Sequence, residues 1–319
     1  PTDPTDSPEK VVSDEGLLSG KFTIDDEGTT ISFSRGNLQY QPSTQTFRFA
    51  LRQYDITGKE NKNISTTGLD TLDSWYDLFG WGTSGYHNDA DTYNKYYQPL
   101  DYGTYGEVIS AEVNYYGFGP STSMEDPDLV GTSRQYDWGV YNKISNGGNQ
   151  ADTWRTLTKD EWNYLLNKRT GSRYSKATIS VQTIKEKDGK NDTSYVGCCG
   201  VVLIPDGFVA PAGVDAFNRI NNSKATFDQV FTEEQWAALE KAGCVFLPAA
   251  GRRELGEKSV RNVVSANASG HYWSTTHSDF TPSTGNLAYQ VMFNRDMLDA
   301  ASSNNRNGGR SVRLVRVVK

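Results

Sequence analysis

The chain is poor in three residue types, and each shortage closes off a class of chemistry. Its 319 residues include three cysteines, three histidines and three methionines. Three cysteines cannot build a disulfide framework. Cys198 and Cys199 stand together in "YVGCCGVVLI" and Cys244 lies in "GCVFLPAAG", apolar settings where cysteine serves as a small core residue and not as a redox or metal group. None of His87, His271 and His277 falls in an H-x-x-x-H frame, and no C-x-x-C occurs, so no zinc site is offered. No stretch approaches the ~18 consecutive apolar residues of a membrane span, and no charged-then-apolar signal segment opens the chain.

What is present is aromatic and glycine-rich: 18 Tyr, 13 Phe, 7 Trp and 30 Gly, with 36% apolar residues overall. That composition belongs to loop-heavy β or α+β folds and not to a helical bundle. The chain opens without Met on "PTDPTDSPEKVVSDEG", which has almost nothing to bury. Residues 1–15 are therefore read as a disordered tether left by upstream processing, as in a secreted protein or an outer-membrane surface lipoprotein without its lipidated end. Residues 16–319 contain no Gly/Ser linker and are read as a single domain.

The net charge is −7, unevenly placed. From Arg252 onward ten Lys/Arg face five Asp/Glu, a net +5, so residues 1–251 carry −12. The acidic total excludes a general nucleic-acid binder. The basic residues of the tail are spread through a strand-like pattern, which reads as a solvated face or as internal ion pairs.

Along the chain, "GKFTID", "TTISFSRGNLQYQ" and "TFRFALRQYDITG" alternate apolar with polar residues, and Pro-Ser-Thr-Gln separates the last two, a hairpin or meander signal. From Asn61 to Gly148 periodicity is lost. This stretch is expected to be pinned by Trp75, Phe79, Trp81, Trp138 and Tyr141. Two helices are announced by capping boxes: Thr158 with Glu161, ahead of Trp162, Leu165 and Leu166, and Thr232 with Gln235, ahead of Trp236 and Leu239. Lys168 and Arg169 suit the end of the first, and Gly171 and Gly243 are placed to stop the two helices. "GVVLIPDGF" and "CVFLPAAG" read as central strands ended by Pro, followed by strands at "GHYWSTT", "LAYQVMFN" and "RSVRLVRVV".

Motifs for chemistry are weak. Gly80-Trp81-Gly82-Thr83-Ser84-Gly85 matches a dinucleotide fingerprint by letter, but an Asn/Asp/Tyr loop follows where a helix N-terminus is required. His277 lies near Asp279 and Ser274 in sequence without any nucleophile-elbow context. "HNDADTYN" lacks the Gly and distal Glu of an EF-hand loop. No cofactor is implied, and a structural calcium in the irregular loops stays open. In "LAYQVMFNRD", Tyr289, Val291 and Phe293 fall on one face and Gln290, Met292 and Asn294 on the other. With the first face in the core, the second is expected to present a polar row to solvent between the loops "TTHSDFTPSTGN" and "AASSNNRNGG", an arrangement suited to binding.

Several phrases occur together: "SRGNLQYQPSTQTFRFA", "DLFGWGTSGY", "YDWGVYNKISNGGNQADTWRTLTKDEWNYLLNKR", "GVVLIPDGF", "AGCVFLPAAGRR", "GHYWSTT" and "SVRLVR". In these the chain resembles a Bacteroidetes-type family of surface proteins with a C-type-lectin-like fold, related to the Fibrobacter major paralogous domain and to the variable proteins of diversity-generating retroelements. The likeness extends more weakly to the formylglycine-generating sulfatase modifiers, through Trp154–Trp162 and the closing Ser311–Val315. Their copper-binding cysteine pair lies late in the chain. Here nothing after Cys244 is Cys, so that activity is not carried over.

The resemblance implies an α+β, C-type-lectin-like fold: mixed and antiparallel sheets, two flanking helices, paired N- and C-terminal strands and long irregular loops. The sugar motifs Glu-Pro-Asn, Gln-Pro-Asp and Trp-Asn-Asp are absent, so lectin-like describes shape alone. Mapped from the retroelement-diversified relatives, the ligand-contacting residues are Thr276, His277, Asp279, Gln290, Met292, Asn294, Asp296, Ser302, Ser303 and Asn304. Arg310 departs from the pattern, standing where an aromatic usually precedes Ser-Val-Arg. Arg313 and Arg316 are expected to be satisfied by local acids. The expectation is a non-enzymatic surface protein that binds a protein or glycan, touching a membrane only through a removed N-terminal lipid. The alternatives are a sulfatase-modifier-like enzyme and a structural subunit of a fimbrial or surface assembly.

Overall fold

A computed structural model of the chain describes residues 13, 15–58, 73–86, 128–187, 190–255, 261–281, 285–306 and 308–318. The tether, His87 and the carboxylates Asp89 and Asp91 lie outside the described residues, apart from Ser13 and Glu15. The architecture is mixed α+β with mostly antiparallel strands. No helix among the described residues is long and apolar enough to cross a membrane.

The alternating N-terminal segments fold as expected into short strands, β1 (Phe22–Thr23), β2 (Thr30–Phe33), β3 (Leu38–Gln41) and β4 (Thr46–Phe49). β3 and β4 form a hairpin across Pro42–Gln45. The run "TTISFSRGNLQYQ" is divided between two sheets. Its first half pairs with β1 on one edge and with the C-terminal strand β14 (Val315–Val318) on the other. The N- and C-terminal strand regions are therefore joined, although "RSVRLVRVV" is regular strand only from Val315.

The irregular middle is held by aromatic burial. Phe79, Trp81 and Trp138 are fully enclosed together with Tyr76, Tyr136 and Trp154. Trp75 is half-buried beneath the Arg48 guanidinium, which sits 3.6 Å from its ring centre. Tyr141 is 43% exposed, so it does not pin the loop as expected. It closes the four-residue helix α1 (Trp138–Tyr141), too short to bury its last side chain, and packs edge-on to Tyr86.

Both capping boxes are formed. At α2 (Lys159–Asn163) the Thr158 hydroxyl accepts the Glu161 N–H at 3.1 Å and Glu161 Oε2 accepts the Thr158 N–H at 2.8 Å. The helix widens into a π turn over Tyr164–Lys168. Arg169 then folds inward, donating to the Leu165 and Arg173 carbonyls and to Asp206 at 2.8 Å, which satisfies the helix end. Thr232 and Gln235 cap α3 (Glu233–Lys241), and Gly243 ends it at φ 91°.

The largest sheet was not fully legible. β5 (Tyr174–Lys187) and β6 (Lys190–Leu203) are 14-residue strands, flanked by β7 (Val230–Thr232) and β8 (Val245–Pro248) in the order β7-β5-β6-β8. "GVVLI" is central as expected. "CVFLP" is not: β8 lies at the sheet's edge, and its four side chains are buried because a helix and a second core cover both faces. On one face Ile179, Val202 and Phe246 meet Trp236 and Leu239 of α3. On the other Val201, Leu203 and Leu247 meet Phe22, Phe33, Trp162 and Phe293. Each such side chain contributes about 1.5–3 kcal/mol by burial. Cys199 packs toward this second core and Cys198 toward the first, as alternation along a strand requires.

A small ladder, β9 (Arg252–Leu255) with β10 (Arg261–Val264), leads to the last sheet, β11 (Ser269–Thr281), β12 (Gly285–Asn294) and β13 (Leu298–Asn305), in that order. Much of what read as the two bordering loops is thus strand. Thr275–Thr281 extends β11, and Ser302, Ser303 and Asn304 are part of β13. Pairing with β12 imposes strand structure on residues of low β propensity.

Candidate functional site

The last sheet lies between two cores, and this decides which of its side chains are available. On β12, Val291 and Phe293 enter the core shared with α2, while Ala288 on the other face joins Trp273 and Trp81 in the aromatic core. Gly270 admits the Phe293 ring, since a Cβ there would sit 2.1 Å from it. Each face is covered at one end and open at the other. The expected division of β12 into one core face and one solvent face is therefore corrected. Tyr289 is partly exposed, with Lys159 Nζ 4.8 Å from its ring centre, and Gln290 is only 1% exposed.

Gln290 is occupied within the protein. Its Oε1 accepts Arg310 Nε at 2.9 Å, and Arg310 also donates to the Gly309 carbonyl at 3.0 Å. The Arg310 guanidinium lies 5.6 Å from the Trp273 ring centre, a planar cation filling a slot among aromatic residues. Burial pushes its pKa down to about 10, which leaves it charged at neutral pH. The residue that departs from the family pattern and one of the residues mapped as ligand contacts are thus partners in the interior.

The remaining mapped residues divide. Met292 is half-buried, opposite His271 and Asp299. Asn294 caps the β12–β13 turn, its Oδ1 accepting the Asp296 and Met297 N–H groups at 2.8 and 3.0 Å. Asp296 is exposed beside Arg295. Thr276 accepts the Lys159 N–H at 3.0 Å at the start of α2. His277 Nδ1 lies 2.5 Å from Asp128 Oδ1, and Ser274 donates to the Tyr289 carbonyl, so the two do not form a nucleophile–base pair. Asp279 lies on β11. On β13, Ser303 is exposed and Ser302 and Asn304 are half-buried, opposite Tyr289, Gln290 and Ala288 respectively. Among the described residues, strand order leaves the far side of β13 as an edge. The structure therefore brings together Thr276, Tyr289, Ser303 and Lys159 near the outer end of the sheet, while Ser302 and Asn304 fall on the opposite face with Gln290 and Ala288. Tyr289 and Lys159 were missed, because alternation alone placed Tyr289 in the core.

The interior also holds a set of buried cations that the sequence read as surface or ion-paired. Arg253, Arg306, Arg310 and Arg313 are all fully enclosed. Arg306 lies over the Trp81 ring at 4.5 Å. Arg313, expected to meet an acid, instead donates to Gln53 Oε1 at 2.8 Å, to the Phe246 carbonyl at 3.3 Å and to Asn37 Oδ1 at 3.4 Å. Arg316 does meet an acid, Glu15, while covering the Trp154 ring. His271 is buried as well, its Nε2 3.1 Å from Ser269 Oγ. Burial, with Arg310 and Arg252 close by, pushes it down to about 3, so it is neutral in the fold.

A cleft of about 350 Å³ beside β14 is lined in part by Asp137, a carboxyl that burial pushes up to about 6. Its oxygens accept the Thr156 N–H at 2.7 Å, the Thr156 hydroxyl at 2.9 Å and the Gly139 N–H at 3.2 Å. It staples two segments, bonding the 137–139 turn to Thr156. Burial also raises the Cys198 thiol to about 11 and Cys244 further, so neither is an activated nucleophile. Among the described residues no three His, Cys, Asp or Glu side chains are grouped to hold a metal ion. In the Gly80–Gly85 segment the Thr83 and Ser84 hydroxyls donate to the Gly80 and Gln135 carbonyls, and the stretch that follows Tyr86 lies outside the described residues.

Residues 215–315 match the family model of a domain of unknown function, DUF8237. That span holds every mapped site residue together with Arg253, Arg310 and Arg313. No match was found among curated proteins or among solved structures.

Proposed function

We propose that this chain is a non-enzymatic, cell-surface ligand-binding protein with a C-type-lectin-like fold, which engages a protein or glycan at the outer end of the β11–β12–β13 sheet. The observation that carries this reading is the contrast within that sheet. Its inner part is fixed from both sides by Tyr272, Trp273, Val291 and Phe293. Its outer strand carries small polar side chains, Ser303 beside Tyr289 and Lys159 on one face and the half-buried Ser302 and Asn304 on the other. A rigid support under adaptable hydrogen-bonding groups, with one aromatic for contact area, is the composition of a recognition surface. The raised thiols give no support to a cysteine-based enzyme.

The test is a screen of the purified chain on glycan and extracellular-protein arrays, followed by the triple substitution Ser302→Ala, Ser303→Ala, Asn304→Ala. The triple variant is expected to lose the array signal and keep its thermal midpoint. Retention of every signal by the triple variant removes this face from the reading.

A further inference from the structure

The β5–β6 hairpin is longer than the core that supports it. Beyond Val181 the two strands continue through residues 182–187 and 190–196, roughly 20 Å of paired backbone. Ile184 is 60% exposed, Tyr195 67% and Val196 50%. A free two-stranded ribbon is marginal in water, and an open strand edge is a template for another strand.

The two edges of this arm differ. On β5, even-numbered residues point their peptide groups outward: Thr178 N–H meets the Gln229 carbonyl, and Gln182 N–H is capped by Glu233 Oε2 at 2.9 Å. On β6 the odd-numbered residues point outward. Cys199 N–H is accepted by Asn267 Oδ1 at 2.7 Å, and Asn267 Nδ2 donates to the Gly197 carbonyl at 2.7 Å. The Asn267 amide thus ends the covered part of the edge. By the same alternation the next outward residues are Tyr195 and Thr193, and nothing among the described residues covers them.

We infer that this β6 edge pairs antiparallel with the same edge of a second copy of the chain. An isologous contact of this kind requires a self-complementary edge. The register that engages both outward residues on both copies puts Ser194 on the two-fold axis and sets Tyr195 opposite Thr193 of the second copy. Tyr opposite a β-branched residue is a favourable cross-strand pair. Charge permits the contact: over residues 181–196, Lys185, Lys187 and Lys190 balance Glu186, Asp188 and Asp192, although the whole chain carries −7. Ile184 shares a face with Tyr195, since Gln182 and Thr193 stand opposite Tyr195 and Ile184. Pairing therefore extends that apolar stripe across four strands.

Sedimentation velocity of the full chain over a range of micromolar concentrations reads the association. The wild type is expected to show a reversible monomer–dimer equilibrium. Thr193→Pro removes an outward N–H, and Tyr195→Lys alters an exposed side chain; each is expected to weaken the dimer at least about tenfold. Ser194→Cys gives a positive readout. On the axis its Cα is about 4.5 Å from its symmetry mate, within disulfide reach, so mild oxidation is expected to produce a covalent dimer that Gln182→Cys does not. A wild type that stays monomeric at every concentration, with no Ser194→Cys cross-link, overturns the inference. So does a dimer indifferent to both edge substitutions.

Discussion

Acidification from about pH 7.5 to about pH 5 is expected to remove roughly 2 kcal/mol of folding stability through His271 alone. The side chain is buried, and the fold holds its pKa down to about 3 against an ordinary 6.5. Between those values the unfolded chain binds a proton that the folded chain refuses. Stability is therefore level above the unfolded value and falls as pH drops toward the folded one. The loss is about 1.4 kcal/mol per pH unit once well below the unfolded value. Guanidinium unfolding of wild type and His271→Gln at several pH values isolates the effect. The variant is expected to be less stable at neutral pH, because a packed ring is lost, but its stability should fall about 2 kcal/mol less by pH 5. Asp137 is displaced upward to about 6 and so acts with the opposite sign in this window. It is common to both proteins and cancels in the difference. Parallel curves for the two proteins would refute the placement of a neutral histidine between Arg310 and Arg252.

Three further outcomes follow from particular contacts. Gln290→Leu strips Arg310 of its side-chain acceptor and is expected to cost about 1.5–3 kcal/mol; in a thermal double-mutant cycle, adding Arg310→Phe should recover at least about 1 kcal/mol, and strict additivity would show that the pair is uncoupled. Lys176→Met leaves the Ser223, Asn294 and Met297 carbonyls without their shared ammonium donor, now 2.6–3.0 Å away. Amide exchange in residues 294–297 should accelerate, and unchanged protection there would mean that the turn does not depend on the lysine. Thr232→Ala removes the α3 cap and should lower stability by about 1 kcal/mol, read from the chemical-denaturation midpoint; no shift would mean that the cap adds nothing to α3.

What could be read in advance divides according to the range of the forces involved. The helix starts were legible because a capping box is completed within four residues. The β3–β4 hairpin was legible for the same reason. Gln290 was misplaced because alternation describes a strand with one core, and β12 passes between two. Ser302–Asn304 has no strand signature of its own and becomes strand only against β12. The buried arginines were the furthest from legibility: Arg313 finds its acceptors at Asn37, Gln53 and Phe246, positions that no local pattern connects to it. β5 was the avoidable omission, since "YSKATISVQTI" alternates along most of its length.

The pairing of β14 with β2 also sets a timetable. Thr30 donates to the Val318 carbonyl across 288 positions of sequence, so the partner strand of β2 leaves the ribosome long after β2 itself. Until then Ile31 and Phe33, which are fully enclosed in the finished fold, have no second strand against them. Completion of the main core is thereby deferred until β14 has been made. Removing Val315–Val318 should thus act on the whole domain and not on its margin.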